Sequence, residues 1–314
     1  MATRFESPTD EALPMIEIVE VSPRDGLQNE QTLLSTEDKV SLIEKAIEAG
    51  ARRIEATSFV NPKKVPQMAD AESVMTRVPR RDDVTYIGLV LNRRGAERAI
   101  AAGVDELGTV CVASDEFAAR NQGQSSAESL DIACENIALA SREGLSAQIT
   151  IAASFGCPYE GTVEPERVVE MAKAAAQAHP REIALADTIG VAVPRQVEEL
   201  IGLVRREIGD IPLRAHFHNT RNTGIANVWA AVEAGVRTID ASLGGLGGCP
   251  FSPGASGNVA TEDVAYMLER SGCRSNIDLV RAIQASHWLG RAMDKTLPSM
   301  VARAPAFDGL GAQG

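Results

Sequence analysis

The chain has 314 residues, 44% apolar, 24% charged and 4% aromatic, with a net charge of −12. This is the composition of a water-soluble globular protein, and the acidic balance with no basic, aromatic-interleaved patch argues against a nucleic-acid partner. No apolar run approaches the roughly 20 residues of a membrane span, the acidic N-terminus lacks an apolar leader core, and "LGAQG" at the C-terminus is no lipidation or peroxisomal signal.

In chain order, residues 1–14 carry no periodic pattern and read as flexible. The first β-branched run, "MIEIVEVS" (15–22), is a strand, and "SPRDGLQNE" (22–30) follows it. That places Arg24 and Asp25 at the strand's C-terminal end, with Gly26 allowing a sharp turn. "STEDKVSLIEKAIEAG" (35–50) has helical spacing at Val40, Leu42, Ile43, Ala46 and Ile47, a cap at Ser35 and a stop at Gly50. In the second strand, "RRIEATSFV" (52–60), Glu55, Thr57 and Phe59 share one face, and Ile54, Ala56 and Ser58 the other. Glu55 is a carboxylate that burial would force into a pair.

Further strands fall at 84–90, 106–114, 147–154, 182–189, 213–218 and 238–244, with helices such as 164–178, 193–209 and 263–270 between or after them. The fourth strand ends at Ser114 and leads into "DEFAARNQGQSSAES", a long polar loop and candidate lid containing Asn121. The sixth ends in "ADTIG", putting Asp187 and Thr188 at the rim, where Asp187 would serve equally well as a turn cap. The seventh ends in His216 and His218, which stand side by side because positions i and i+2 of a strand face the same way. After the eighth comes "GGLGGCPFSPGASGNVATED" (244–263), a glycine-rich loop carrying Cys249 and Asn258 before a helix that Thr261 would cap. The five cysteines include no C-x-x-C pair, which points to reduced thiols in a cytoplasmic compartment.

Eight strand–helix units predict an α/β fold, a single (β/α)₈ TIM barrel domain spanning 1–314, with one more helix at 276–293 packed outside it and 295–314 extended or flexible. A doubly wound open sheet is the alternative, but no GxGxxG follows the first strand. Barrel active sites lie at the C-terminal ends of the strands, so the polar residues there read as one set. Asp25, His216, His218 and Asn258 offer a carboxylate, two imidazoles and an amide oxygen. Mixed N/O ligation without thiolate suits a six-coordinate ion such as Mg²⁺ or Mn²⁺ and leaves two positions for a chelating substrate. Arg24 beside them could stabilise an enolate oxygen, and Cys249 on its loop could carry a proton.

The motifs "VSPRDGLQNE", "IEATSFVNPKKVPQM", "ADTIGVAVP", "HFHN" and "GGLGGCPFSPGASGNVATED" together resemble the 3-hydroxy-3-methylglutaryl-CoA (HMG-CoA) lyases, over about residues 15–295 and in register. These are metal-dependent (β/α)₈ enzymes of a superfamily that also holds isopropylmalate synthase. The resemblance implies an acyl-CoA thioester as substrate, retro-Claisen cleavage to acetoacetate and acetyl-CoA, and a homodimer. It implies Asp25, His216, His218 and Asn258 as metal ligands. Arg24 would polarise the thioester, Cys249 would act as mobile acid/base, and Glu55 would support Arg24 or the proton transfer. Gln28, Ser58, Asn121 and Thr188 become substrate or neighbouring contacts.

Two features depart from the family pattern. Asn219-Thr220-Arg221-Asn222 replaces the usual Asp-Thr-Tyr-Gly, and no cysteine lies near the C-terminus. The first change leaves the ligands intact but alters the rim beside them, so a related 3-hydroxy-3-substituted acyl-CoA is an alternative substrate, with Arg221 reaching a substrate carboxylate or CoA phosphate. Lys63–Lys64 and Arg93–Arg94 are expected to face polyanionic CoA, whereas Arg80–Arg81 fall on the opposite end. An acetyl-CoA-dependent Claisen synthase is the next alternative, disfavoured by the Cys249 loop and by the short chain past the barrel. A non-catalytic binding barrel is weaker still, since every chemical position is filled.

Overall fold

Eight parallel strands close on themselves. They are β1 (Met15–Glu20), β2 (Arg53–Ser58), β3 (Thr85–Val90), β4 (Glu106–Val112), β5 (Ser146–Ala152), β6 (Ile183–Asp187), β7 (Leu213–Phe217) and β8 (Thr238–Ala241). Neighbours pair in chain order; β8 pairs with β1 from Glu17↔Thr238 to Glu20↔Ala241, and Glu20↔Ile54 joins β1 to β2. This is the TIM barrel expected from the alternating pattern, seen in a computed structural model that describes residues 13–248 and 257–305.

The helices are α1 (Thr36–Glu48), α2 (Ala71–Arg77), α3 (Arg93–Ala101), α4 (Asp115–Gln122), α5 (Ser126–Arg142), α6 (Pro165–Ala176), α7 (Pro194–Ile208), α8 (Gly224–Glu233), α9 (Thr261–Arg270) and α10 (Leu279–Ala292). Ser35 caps α1, its side chain accepting from the Asp38 amide. Among the described residues no helix is long and apolar enough to cross a membrane.

Three local expectations change. The polar stretch after β4 is not a loop: Ser114 accepts from the Phe117 amide and Gly123 closes the turn at φ 77°, so α4 forms and carries Asn121. The outer helix begins at Leu279 rather than 276, because the preceding residues have other partners. Arg274–Ser275 form a short strand, β9, against β1, and Asn276 bonds the Ile18 amide at 2.7 Å. Thr261 does not cap α9; its hydroxyl donates instead to Glu20 at 2.7 Å. Residues 295–305 are docked: Lys295 pairs with Glu30, and Asp263 accepts from Ser299 and from the Met300 and Val301 amides.

The main apolar core lies between the strands and the surrounding helices, drawing in Ile16, Ile18, Ile54 and Leu107. Inside the barrel, Val19, Val21 and Ile87 form only a small apolar cluster. Much of the interior is charged. Arg53 contacts Glu106 at 2.6 Å and Glu182 at 2.7 Å; Arg214 contacts Glu182 at 3.4 Å and Asp240 at 2.5 Å. Each charge of this set is matched by an opposite one, the condition for tolerating such burial.

Some buried carboxyls have no salt-bridge partner among the described residues, and Glu262 is one of them. Glu262, at the start of α9, accepts from the Gly244 amide at 3.1 Å and the Ser286 hydroxyl at 2.6 Å. Burial pushes its pKa up to about 7, from an ordinary 4.5. Between those values the folded chain holds a proton that the unfolded chain has lost, so stability falls as pH rises through the window. The shift corresponds to a loss of roughly 3 kcal/mol once the group is fully ionised. Glu262→Gln removes the ionisation. Guanidinium unfolding should show the variant gaining about 1–3 kcal/mol on the wild type at pH 8 relative to pH 5; equal differences at both would refute the assignment.

Candidate active site

The C-terminal mouth of the barrel gathers its chemistry from four segments. Beyond β1, Ser22–Gly26 form one π-helical turn that presents Arg24 and Asp25. Gly26 closes that turn without a positive φ, and its lack of a side chain serves a close approach: a Cβ there would lie 2.9 Å from Ser242 Oγ and 3.1 Å from the Leu246 carbonyl. Gly26→Ala should therefore cost about 1–3 kcal/mol in denaturant unfolding, because a backbone carbonyl has to yield; unchanged stability would contradict this.

β2 places Glu55 beneath Arg24. The guanidinium bonds Glu55 through Nε at 2.7 Å and Nη2 at 2.5 Å, and reaches Asp25 Oδ1 through Nη1 at 2.5 Å. β7 aims His216 and His218 inward, with ring centroids 5.1 Å apart. A β-bridge joins His218 to Asn258 and brings that amide to Asp25, with Nδ2 2.8 Å from Oδ2. Gly247, at φ +135°, leaves room for this; a Cβ there would fall 2.7 Å from the amide nitrogen.

Asp25, His216 and His218 each offer a ligand atom within 4.8 Å of the others. Burial alone would raise the Asp25 carboxyl, but the Arg24 cation, a hydrogen bond with His218 and the charge of His216 hold it well below the usual carboxylate range. Burial would lower His216, yet the Asp240 hydrogen bond and the Asp25 charge outweigh it, and the ring stays above its ordinary value. An anionic carboxylate beside two imidazoles fits a divalent cation. For Asn258 to join as a ligand, its amide has to turn so that Oδ1 faces Asp25.

Arg24, Asp25, Glu55, His216 and His218 line the floor of a cavity of about 640 Å³. Gln28, Asn121 and Thr188 also line it, and the Thr188 hydroxyl accepts from the Ala153 amide at 2.9 Å. Ser58 is fully buried, and a register shift between Glu55 and Thr57 sets it opposite Leu89, itself a lining residue, so it lies on the same side of β2 as Glu55. Asp187 caps its own turn, accepting from the Val191 and Ala192 amides. Arg221 is absent from the lining, and its Nη1 donates to the Ile189 and Gly190 carbonyls at 2.9 and 3.0 Å. Cys249 lies outside the described residues. Asp240, Arg214 and Arg120 line the cavity and were not singled out from the sequence. The first two share the inward parity of Glu55 and the histidines, which was the available signal.

A parallel barrel whose mouth holds a carboxylate, two imidazoles and a buried Arg–Glu pair has the make-up of a metal-binding barrel enzyme. The HMGL-like family model matches residues 15–289, and the chain belongs to that family. It is a carbon–carbon lyase of the HMG-CoA lyase type. The (R)-citramalyl-CoA lyase of Chloroflexus aurantiacus is 44% identical, over 92% of this chain and 94% of its own. A Bacillus subtilis hydroxymethylglutaryl-CoA lyase is 40% identical, over 90% of this chain and 95% of its own. A solved Acinetobacter baumannii HMG-CoA lyase, in complex with coenzyme A and 3-methylmalate, superposes with a TM-score of 0.89 at 40% identity, covering 96% of this chain and 98% of its own.

Proposed function

We propose that the protein cleaves 3-hydroxy-3-methylglutaryl-CoA to acetoacetate and acetyl-CoA with Mg²⁺ or Mn²⁺ bound. The observation that carries this reading is the convergence of Asp25, His216 and His218 beside the Arg24–Glu55 pair on one cavity floor. Asp25, His216, His218 and, once turned, Asn258 would hold the cation. When bound, it supplies a Lewis acid and template for the substrate's hydroxyl and carboxylate oxygens.

Transfer of the C3 hydroxyl proton to Cys249, acting as its thiolate, lets the C2–C3 bond break. C3 becomes the ketone carbon of acetoacetate, and the bonding pair moves to C2 as the enolate of acetyl-CoA. Arg24 directs its guanidinium to the thioester oxygen, where that negative charge collects. Glu55 fixes the guanidinium's plane through two contacts. Cys249, on the loop after β8, delivers the proton to C2. A cytoplasmic homodimer is proposed on the same family resemblance.

A second reading is favoured by the citramalyl-CoA lyase relative. A citramalyl thioester has its carboxylate directly on C3 and would release pyruvate by the same bond cleavage. Metal-loaded enzyme given each thioester separately decides between them: acetoacetate from the first supports the proposal, and pyruvate alone from the second replaces it.

At the cavity mouth Lys64 and Arg120 are the lining cations, Arg120 stacked over Tyr159 at 4.4 Å. Arg120 is paired with Glu116 at 2.6 Å much as Arg93 is with Glu97 at 2.9 Å, but Arg93 stands on the exposed side of α3 and does not line the cavity. Lys64→Ala and Arg120→Ala should each raise KM for the thioester by up to about tenfold, the scale of one partly exposed ion pair. Arg93→Ala/Arg94→Ala should leave it unchanged. The reverse pattern in steady-state kinetics would move the CoA phosphates to α3.

A further inference from the structure

His216 is set between two carboxylates with different tasks. Asp240, on β8, meets its Nδ1 at 3.0 Å, and Asp25 lies among the ligand atoms on the other side. Asp240 is itself held: its second oxygen takes the Arg214 Nε at 2.5 Å, and Arg214 reaches Glu182 with Nη1 at 3.4 Å. Arg214 and His216 are i and i+2 on β7, and His216 is in register with Asp240 across the β7–β8 pair. All three side chains are buried. The arrangement costs the barrel two buried charges, and nothing in the apolar packing calls for them there.

We infer that Asp240, clamped by Arg214, is the positioning residue that commits Nδ1 of His216 to carry the proton and turns Nε2 toward Asp25 and His218. The inference rests on the reading of His216 as a metal ligand. A ring free to rotate or to change tautomer presents the wrong nitrogen part of the time, which weakens the site without removing a ligand. Arg214 acts one step further back. It fixes the Asp240 carboxylate in the plane the ring needs and neutralises a charge that burial would otherwise penalise.

The test is Mn²⁺ binding to the full-length, metal-stripped protein, read by electron paramagnetic resonance of the free ion. Four proteins are compared: wild type, Asp240→Asn, Arg214→Met/Asp240→Leu and His216→Ala. The double variant removes one charge of each sign, so it stays foldable if the single one does not. Both Asp240 variants should bind Mn²⁺ about 10- to 100-fold more weakly, the usual cost of losing a carboxylate behind a metal-bound histidine. A second readout separates orientation from general damage. The chain has four histidines, so long-range ¹H–¹⁵N spectra of the metal-free protein, at a pH where the rings are neutral, should show His216 protonated on Nδ1 in the wild type. The double variant should show a mixture. Wild-type Mn²⁺ affinity in both Asp240 variants, with His216→Ala weakened, overturns the positioning role alone. Wild-type affinity in His216→Ala overturns the metal-site reading beneath it.

Discussion

Arg24→Met is expected to lower kcat by about 10³-fold or more while the protein still binds a divalent cation. The guanidinium is the cation aimed where enolate charge would collect, in a water-poor site where one lost donor alone costs on the order of 10²–10³-fold. Arg24 also holds Glu55, which is nearly fully buried, at 2.5 Å. Removing one partner of such a pair leaves an uncompensated charge, with a cost of roughly 3–5 kcal/mol in stability. Arg24→Met/Glu55→Gln relieves that penalty and should recover the stability but not the rate. Arg24→Lys keeps the charge, but a single ammonium does not reproduce the fork that spans Glu55 and Asp25 while facing the thioester. It should fall between the two. Steady-state kinetics, paired with Mn²⁺ titration and denaturant unfolding, read all three variants. A kcat within tenfold of wild type for Arg24→Met would remove Arg24 from the chemistry.

The fold was legible because a barrel repeats one simple period. Each strand is a short apolar, β-branched run and each helix presents one apolar face, so eight units are countable without knowing what they enclose. The ligand set was legible where chemistry and parity coincided, as in His216 and His218. Parity alone also carried information that chemistry obscured. It failed in β2, where a register shift between Glu55 and Thr57 breaks the alternation and pairs Ser58 with Leu89, on the face that Glu55 shares with Ile87. Arg214 and Asp240 have the inward parity but look like isolated charges until the β7–β8 register is known.

What the sequence hid depends on contacts between distant segments. Arg221 was visible as a cation at the rim, but nothing in its own stretch showed that it would bond the Ile189 and Gly190 carbonyls of the neighbouring loop after β6. Its guanidinium braces that loop from outside the cavity lining. The α4 helix was hidden by its own polarity. A short helix with a capped start and a glycine stop needs little apolar surface, and only Phe117 and Ala118 are buried along it.

Asp25→Asn should weaken Mn²⁺ binding at neutral pH by at least about 100-fold, more than the loss of a supporting carboxylate would. It should also change the shape of the pH dependence. In the metal-free protein the Asp25 carboxyl stays ionised well below the usual carboxylate range, so it does not compete for protons as the pH falls from neutrality. His216 does compete. Burial pulls its pKa down, but Asp240 and Asp25 hold it above the ordinary imidazole value. A metal then has to displace that proton, and below the His216 pKa affinity should drop by about tenfold per pH unit. Asparagine at 25 removes one of the two influences that keep the ring protonated. The acid limb of the variant should begin at lower pH even though its plateau affinity is poorer. Titrations from about pH 5 to pH 8.5 at constant ionic strength resolve the two effects. A uniform loss at every pH would mean that Asp25 is a ligand without influence on the ring. An unchanged plateau would mean that it is no ligand, and that the carboxylate between Arg24 and His218 serves the arginine instead.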